Sequence, residues 1–362
     1  MKKIYMSTIA AAMLTTGAFA ESNSIKEAFA NGKASGDISV YVENSNKSGA
    51  NKDSGISLSS IGLNYETDSI NGFKANLGFR TNHKLNEKEE ADFDETTPKS
   101  VFSTANISYS TDNATIIVGR QEIDLEWMGD YHEAVVGVLT YVPDTTIVVG
   151  HTERWMEVNA DEALQEMVVS GSEKGAYVVD AKYEGIQDTV INPYYMDAPD
   201  VFSAYGLKVT STIANIDLTA HYAATNEDTQ SNGSIAHFEI GTTVSDISFA
   251  AGYATTDKDV GAGNITALGD NIDPFEDGGK IYVADADTFY VSASADIADI
   301  SLSAFYGTTE SGANNADDSE IVLTAGTTIA DDLSIDLLVS SIDAENSTDD
   351  VDKVTLMATY SF

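Results

Sequence analysis

Carboxylates crowd the stretch "GRQEIDLEWMGDYHE", where Glu122, Asp124, Glu126, Asp130 and Glu133 surround Trp127 and Met128. Side chains of this kind can shuttle protons, ligate a metal or set up a field. Proton work on a substrate needs a nucleophile and base at fixed spacing, and no G-x-S-x-G motif is present. The histidines, His83, His132, His151, His221 and His237, show no metal-ligand spacing, and there is no cysteine. A hydrolase built at a membrane rim would have to recruit His221 or His237 beside a Ser or Asp, with no motif to support it. "DNIDPFEDGGK" and "DAENSTDDVD" offer oxygen ligands for Ca²⁺ without the EF-hand spacing, so weak bridging between acidic loops is the most they imply and plain solvation is the simpler account. No resident cofactor is expected, and the metal question stays open.

Electrostatics is what remains. A loop folded into a water-filled passage needs an apolar anchor, which Leu125, Trp127 and Met128 can supply. Its carboxylates would then face the aperture, where low-dielectric walls focus their field and concentrate cations. On this reading Arg120, Glu122, Asp124, Glu126, Asp130 and Glu133 form a constriction, and Arg80, Arg154 and Arg120 project from the opposite wall. The alternative is an external loop whose acids meet only solvent.

Such a loop needs a rigid frame, and the chain alternates as strands do. "GFKANLGFRTN" sets Phe73, Ala75, Leu77 and Phe79 against Lys74, Asn76 and Arg80. "GAYVVDAKY" sets Tyr177, Val179, Ala181 and Tyr183 against Asp180 and Lys182. "NIDLTAHYA" and "LSIDLLVS" repeat the pattern, with Asp217 and His221, then Asp336, opposite the apolar stripe. A charge on the lipid side of a barrel costs about 2–4 kcal/mol at mid-depth, enough to enforce that segregation. Strands are expected near 36–44, 56–66, 73–82, 101–110, 114–121, 134–141, 145–153, 175–183 and 189–196. More are expected near 202–210, 215–225, 235–244, 247–256, 287–295, 299–307, 320–328, 333–342 and 353–362. About 18 strands result, near the 9–11 residues a tilted strand needs to cross a bilayer. Short links such as "DSIN", "STDN", "PDT", "STIA", "SD" and "IAD" alternate with long polar ones, apart from a short "DAPD". The fold expected is all-β, a transmembrane antiparallel barrel with long external loops and short periplasmic turns. Its last strand, "KVTLMATYSF", pairs with "GDISVYVE" so that no edge is left bare. At this width the lumen holds water, with Lys74, Arg80, Asp180, Lys182 and Asp217 on its wall.

The first 20 residues read as a secretory signal peptide: Lys2 and Lys3, a short apolar stretch, then "GAFA". Residues 21–35 form a short periplasmic segment in which Ser24 and Glu27 make a capping box, with Ile25, Ala28 and Phe29 on one side of a helix. Residues 36–362 are the barrel. Removing Lys2 and Lys3 leaves 17 basic against 58 acidic side chains, a formal charge of −41. Nucleic acid is therefore a poor partner.

The order of "IKEAFANGKASGDI", "IIVGRQEID" and "HEAVVGVLTYVPDTTIVVGHTER" resembles the Opr-type porins of epsilonproteobacteria, the group of the major outer membrane porin of the Campylobacter kind. The resemblance implies an 18-stranded trimer in the outer membrane of a Gram-negative bacterium, amid its lipids and lipopolysaccharide. It also implies a constriction at the third long loop and passive flux of small hydrophilic solutes. Phe362, with Tyr360 and Leu356 on its parity, resembles the signal read by the barrel-assembly machinery. The function expected is a non-enzymatic, cation-preferring diffusion channel; the alternative is an adhesin or structural barrel, and a soluble all-β domain comes third.

Overall fold

Alternation between two solvents produces strands, and the computed structural model is built of them. It describes residues 22–49, 52–269, 272–312, 316–330, 332–345 and 349–362; the expected signal peptide lies outside these. Helix α1 (Ile25–Ala30) precedes β1 (Lys33–Lys47), β2 (Ser54–Glu66), β3 (Phe73–Glu87), β4 (Ser100–Ser110), β5 (Ala114–Glu122), β6 (Tyr131–Leu139) and β7 (Thr145–Met156). Then come β8 (Val168–Val169), β9 (Ala176–Ile186), β10 (Thr189–Ala198), β11 (Phe202–Ile213), β12 (Ile216–Glu227), β13 (Ser234–Val244) and β14 (Ile247–Thr256). After a 3-10 turn (Gly263–Thr266) follow β15 (Ala286–Ile297), β16 (Ile300–Ser311), β17 (Ala316–Ile329), β18 (Leu333–Asp343) and β19 (Val351–Ser361).

Neighbours in the chain pair antiparallel, and β1 closes the sheet on β19 from Asp37↔Ser361 to Lys47↔Val351. The two residues of β8 pair with β7 at Arg154↔Val169, above the point where β9 leaves β7 at Thr152↔Ala176. The wall is thus a closed antiparallel barrel of 18 strands. β1 begins at Lys33, ahead of the boundary expected at residue 36.

The apolar parity faces out. Ile38, Val40, Leu77, Ile107, Val179, Phe238, Ile240, Leu337 and Leu356 are 40–59% exposed, whereas Ser39, Ser60, Asp180, Asn192, His221, Glu320 and Ser340 point inward at 3% or less. Each outward side chain left in water would forgo about 1.5–3 kcal/mol of burial, and a band this large marks a lipid-facing surface. A soluble sandwich would have the two parities reversed. The hairpins at one end are tight: Ala214–Asn215, Ser245–Asp246 and Ala298–Asp299 have φ of 49° and 70°, 49° and 69°, and 48° and 67°. Positive φ at both central positions is the type I′ turn whose twist matches the strands, so "STIA" and "IAD" contract to two-residue links.

Helix α1 is capped as expected: the Glu27 amide donates to Ser24 Oγ (3.2 Å), and the Asn23 amide donates to Glu27 Oε2 (2.9 Å). Ala28 packs inward, but Ile25 and Phe29 stand 70% and 56% exposed.

The apolar core lies inside the barrel. Ile123, Trp127 and Met128 from one loop meet Ile265, Leu268, Ile272 and Ile281 from another, against Tyr194, Met196, Ala223 and Ile235 of the wall.

A candidate constriction in the barrel lumen

The segment between β5 and β6 turns inward as a tight hairpin. The Ile123 amide donates to Asp130 O (2.7 Å), and Leu125 and Met128 exchange backbone bonds of 2.9 and 3.1 Å. At its tip Trp127 has φ 61° and Asp130 has φ 70°, left-handed values that cost a side chain energy and persist only where surroundings fix them. Those surroundings belong to distant strands. Trp127 Nε1 donates to the Tyr194 hydroxyl (2.7 Å), which bonds His221 Nε2 (2.8 Å). Lys208 Nζ donates to Glu126 Oε1 (3.0 Å). Tyr194, Lys208 and His221 lie on β10, β11 and β12, so the loop crosses the lumen to reach them.

Residues 257–269 and 272–285 build a second strap. The Gly129 amide donates to Leu268 O (3.1 Å), joining the two loops. Farther along, the buried Glu320 carboxylate accepts the amides of Glu276, Asp277 and Gly278 (3.1, 3.3 and 3.3 Å). Lys353 pairs with Asp277, and Lys280 with Asp318 (2.8 Å). The strap is thereby pinned to β17 and β19. A third loop, 157–167, is held by Asn82 Nδ2, which donates to the carbonyls of Asn159 (2.8 Å) and Glu162 (2.7 Å). Burial pushes the Glu162 carboxyl above its ordinary range; a hydrogen bond from Asn159 opposes this, and the charges of Glu157 and Asp161 add to it.

The expected site residues separate into groups. Trp127 and Met128 are the buried anchor, with Leu125 half-buried beside them. Asp124 and Glu122 are exposed and Asp130 partly so. Glu126 is not an aperture acid: it is buried against Lys208, with His221 Nε2 at 4.0 Å from its other oxygen. Among wall residues, Arg80 grips Asp37 through two nitrogens (2.7 and 3.0 Å) and Ser60 Oγ (2.6 Å). Lys74 pairs with Glu66 (2.7 Å). Asp180 is buried with Asn192 Nδ2 donating to it (3.0 Å). Lys182 shares its inward parity, and Asp217 accepts from Thr212 Oγ1 (2.6 Å) near a short turn.

Arg120 and Arg154 depart from the expectation of an opposite wall. Gln121 and His132 are buried, and Arg120 and Glu133, on the opposite face of the β5–β6 hairpin, pair with each other (2.7 Å). Arg154 stands across from Glu133 in register. With Glu133 the two arginines form a row on β5–β7, at the root of the loop they were expected to face from across the lumen. Lys208, Tyr194, His221 and Glu320, which hold the loops, escaped the sequence reading because their partners are remote; for Lys208 and Glu126 the separation is 82 residues.

A closed barrel with an apolar exterior, a polar wall inside and loops folded into the lumen is a porin-type fold. No family model and no curated protein matches the chain. Solved structures do. Pseudomonas aeruginosa OccK3 (OpdO) is similar with a TM-score of 0.77 at 13% identity, covering 93% of this chain and 97% of that one. Pseudomonas aeruginosa OccK8 (OprE) gives 0.73 at 14% identity over 92% and 99%, and Acinetobacter baumannii OccAB1 gives 0.76 at 12% over 91% and 96%. At such identities the likeness is one of fold. It agrees with the porin type expected from the sequence, in organisms outside the epsilonproteobacterial group.

Proposed function

We propose that the chain is an outer-membrane channel for passive diffusion of small hydrophilic solutes and ions, cation-preferring and without catalysis. One observation carries the charge preference. Cations of the lumen meet carboxylates, as Arg80 meets Asp37, Lys74 meets Glu66, Lys208 meets Glu126 and Lys353 meets Asp277. In a chain of formal charge −39, this pairing leaves the surplus acids to set the field. The likeness in fold to the Occ proteins supports the porin role, and the stretches "IKEAFANGKASGDI" and "GRQEID" support the narrower epsilonproteobacterial kinship. Residence among outer-membrane lipids and lipopolysaccharide, a homotrimer, and delivery by the barrel-assembly machinery through Phe362 belong to the same reading. So does weak Ca²⁺ bridging between acidic loops.

The test is the reversal potential of refolded protein in a planar bilayer under a salt gradient. A cation-side reversal that moves toward zero in the Asp124→Asn, Asp130→Asn double variant is expected. Unchanged selectivity in that variant would remove the loop from its role. A second reading, an adhesin or structural barrel, draws on the apolar core that the two loops build in the lumen. A folded barrel that passes no current would favour it.

A further inference from the structure

Helix α1 presents two large apolar side chains to the outside. Ile25 is 70% exposed and Phe29 56%, one turn apart on the same edge, while Ala28 is buried against the barrel. The helix is fixed in place. The Asp68 amide donates to Ala28 O (3.0 Å), the Ser22 amide to Ser69 O (3.0 Å), and Ser22 Oγ to Asp68 Oδ2 (2.8 Å), which ties α1 to the turn after β2.

What the exposed edge adjoins identifies its occupant. The Phe29 ring stacks on Tyr65 (centroids 6.3 Å apart), and the Tyr65 hydroxyl donates to Phe29 O. Tyr65 shares the outward parity of Ile61 and Leu63, which are 40% and 46% exposed. Phe362, exposed and stacked on Tyr360, lies beside Leu63 through the reciprocal backbone bonds of Gly36 and Phe362 (2.8 and 3.0 Å). Ile25 and Phe29 therefore continue the lipid-facing band at its short-turn end. Aromatic residues collect at that depth of a bilayer, and a helix with one apolar edge lies in the interface with that edge about 5–10 Å below the headgroups.

We infer that α1 is an interfacial anchor whose Ile25–Phe29 edge inserts into the boundary between headgroups and acyl chains of the periplasmic leaflet, its occupant being phospholipid. The inference rests on the membrane placement of the barrel. It gives the amino-terminal segment a task distinct from the channel: holding the first strand and the short-turn rim at a set depth.

The absence of cysteine allows single labels. Nitroxides at Ile25→Cys, Lys26→Cys and Leu337→Cys, in protein reconstituted into phosphatidylethanolamine/phosphatidylglycerol vesicles, would be compared for collision with oxygen and with a water-soluble nickel chelate. The expected result is a Leu337 label deep in lipid, an Ile25 label several-fold more accessible to oxygen than to nickel, and a Lys26 label with that ratio inverted. An Ile25 label as open to nickel as Lys26 would overturn the anchor while leaving the barrel in the membrane. An Ile25 label shielded from both reagents would assign the edge to a protein partner and overturn lipid as its occupant. A nickel-accessible Leu337 label would overturn the membrane placement and the anchor with it.

Discussion

Replacing Trp127 with alanine should release the loop between β5 and β6 from the lumen wall without unfolding the barrel. The side chain is fully buried, donates to the Tyr194 hydroxyl at 2.7 Å, and lies 5.8 Å, centroid to centroid, from both His221 and Tyr282. Truncating a fully buried tryptophan costs about 3–5 kcal/mol. Alanine keeps the left-handed strain at φ 61°; glycine would recover roughly 1 kcal/mol of it. The loss falls on loop docking, because the backbone ladders that join the wall strands do not involve this side chain. At about 1.4 kcal/mol per factor of ten, the undocked population rises by roughly two to three orders of magnitude. Cleavage after Glu126 by a glutamate-specific protease reads that population when reclosing is fast. The cut should accelerate by about 100-fold or more in Trp127→Ala, and somewhat less in Trp127→Gly, while the barrel keeps its heat-modifiable mobility on a denaturing gel. An intact barrel whose loop is cut no faster would refute the anchor.

Three further outcomes are expected. Leu337→Arg should destabilise the reconstituted barrel by about 2–4 kcal/mol, whereas Asp336→Arg, one residue earlier and facing water, should cost far less; urea midpoints in lipid vesicles compare the two. Ala298→Gly should gain on the order of 1 kcal/mol, because alanine at φ 48° is strained where glycine is not; equal midpoints would show that the turn is already relaxed. The raised Glu162 carboxyl makes docking of loop 157–167 strongest below the ordinary glutamate pKa and weaker as pH rises through its higher folded value. Proteolysis of that loop should therefore quicken from acid to neutral pH, and Glu162→Gln should flatten the profile.

How much could be read beforehand depended on which force wrote the pattern. Strands such as β9 and β12 were legible because lipid and water enforce opposite choices at successive residues, so Val179 and Asp180, or Leu218 and His221, announce their faces. Loops obey no such period. Ile265, Leu268, Ile272 and Ile281 are scattered among glycines and acids, and nothing local shows that they assemble on Trp127 and Met128. Glu126 looked like its acidic neighbours because its partner Lys208 sits on β11. Arg120 and Arg154 belong to β5 and β7, next to the strands that root the loop, and that adjacency comes from strand order, which no single residue type announces. For Glu276 and Asp277 an ordinary solvated role was the simplest expectation, and only the inward parity of Lys353 and Glu320 gives them partners.

The seam between β1 and β19 sets a kinetic order on the molecule. Ser39 and Thr359, 3.1 Å apart through their hydroxyls, are 320 residues apart in the chain. Hairpins such as β13–β14 close loops of a few residues, whereas joining the seam directly across unstructured chain would cost roughly 3 kcal/mol more in chain entropy than a ten-residue closure, which favours forming the hairpins first. It also comes last, since it needs every intervening hairpin in register. An open sheet with two bare edges must therefore precede the finished channel, and those edges are the ones most prone to pair with a second chain. Circularisation is therefore the step most exposed to mispairing, and agents that shield β1 and β19 until they meet should act on yield and leave final stability unchanged.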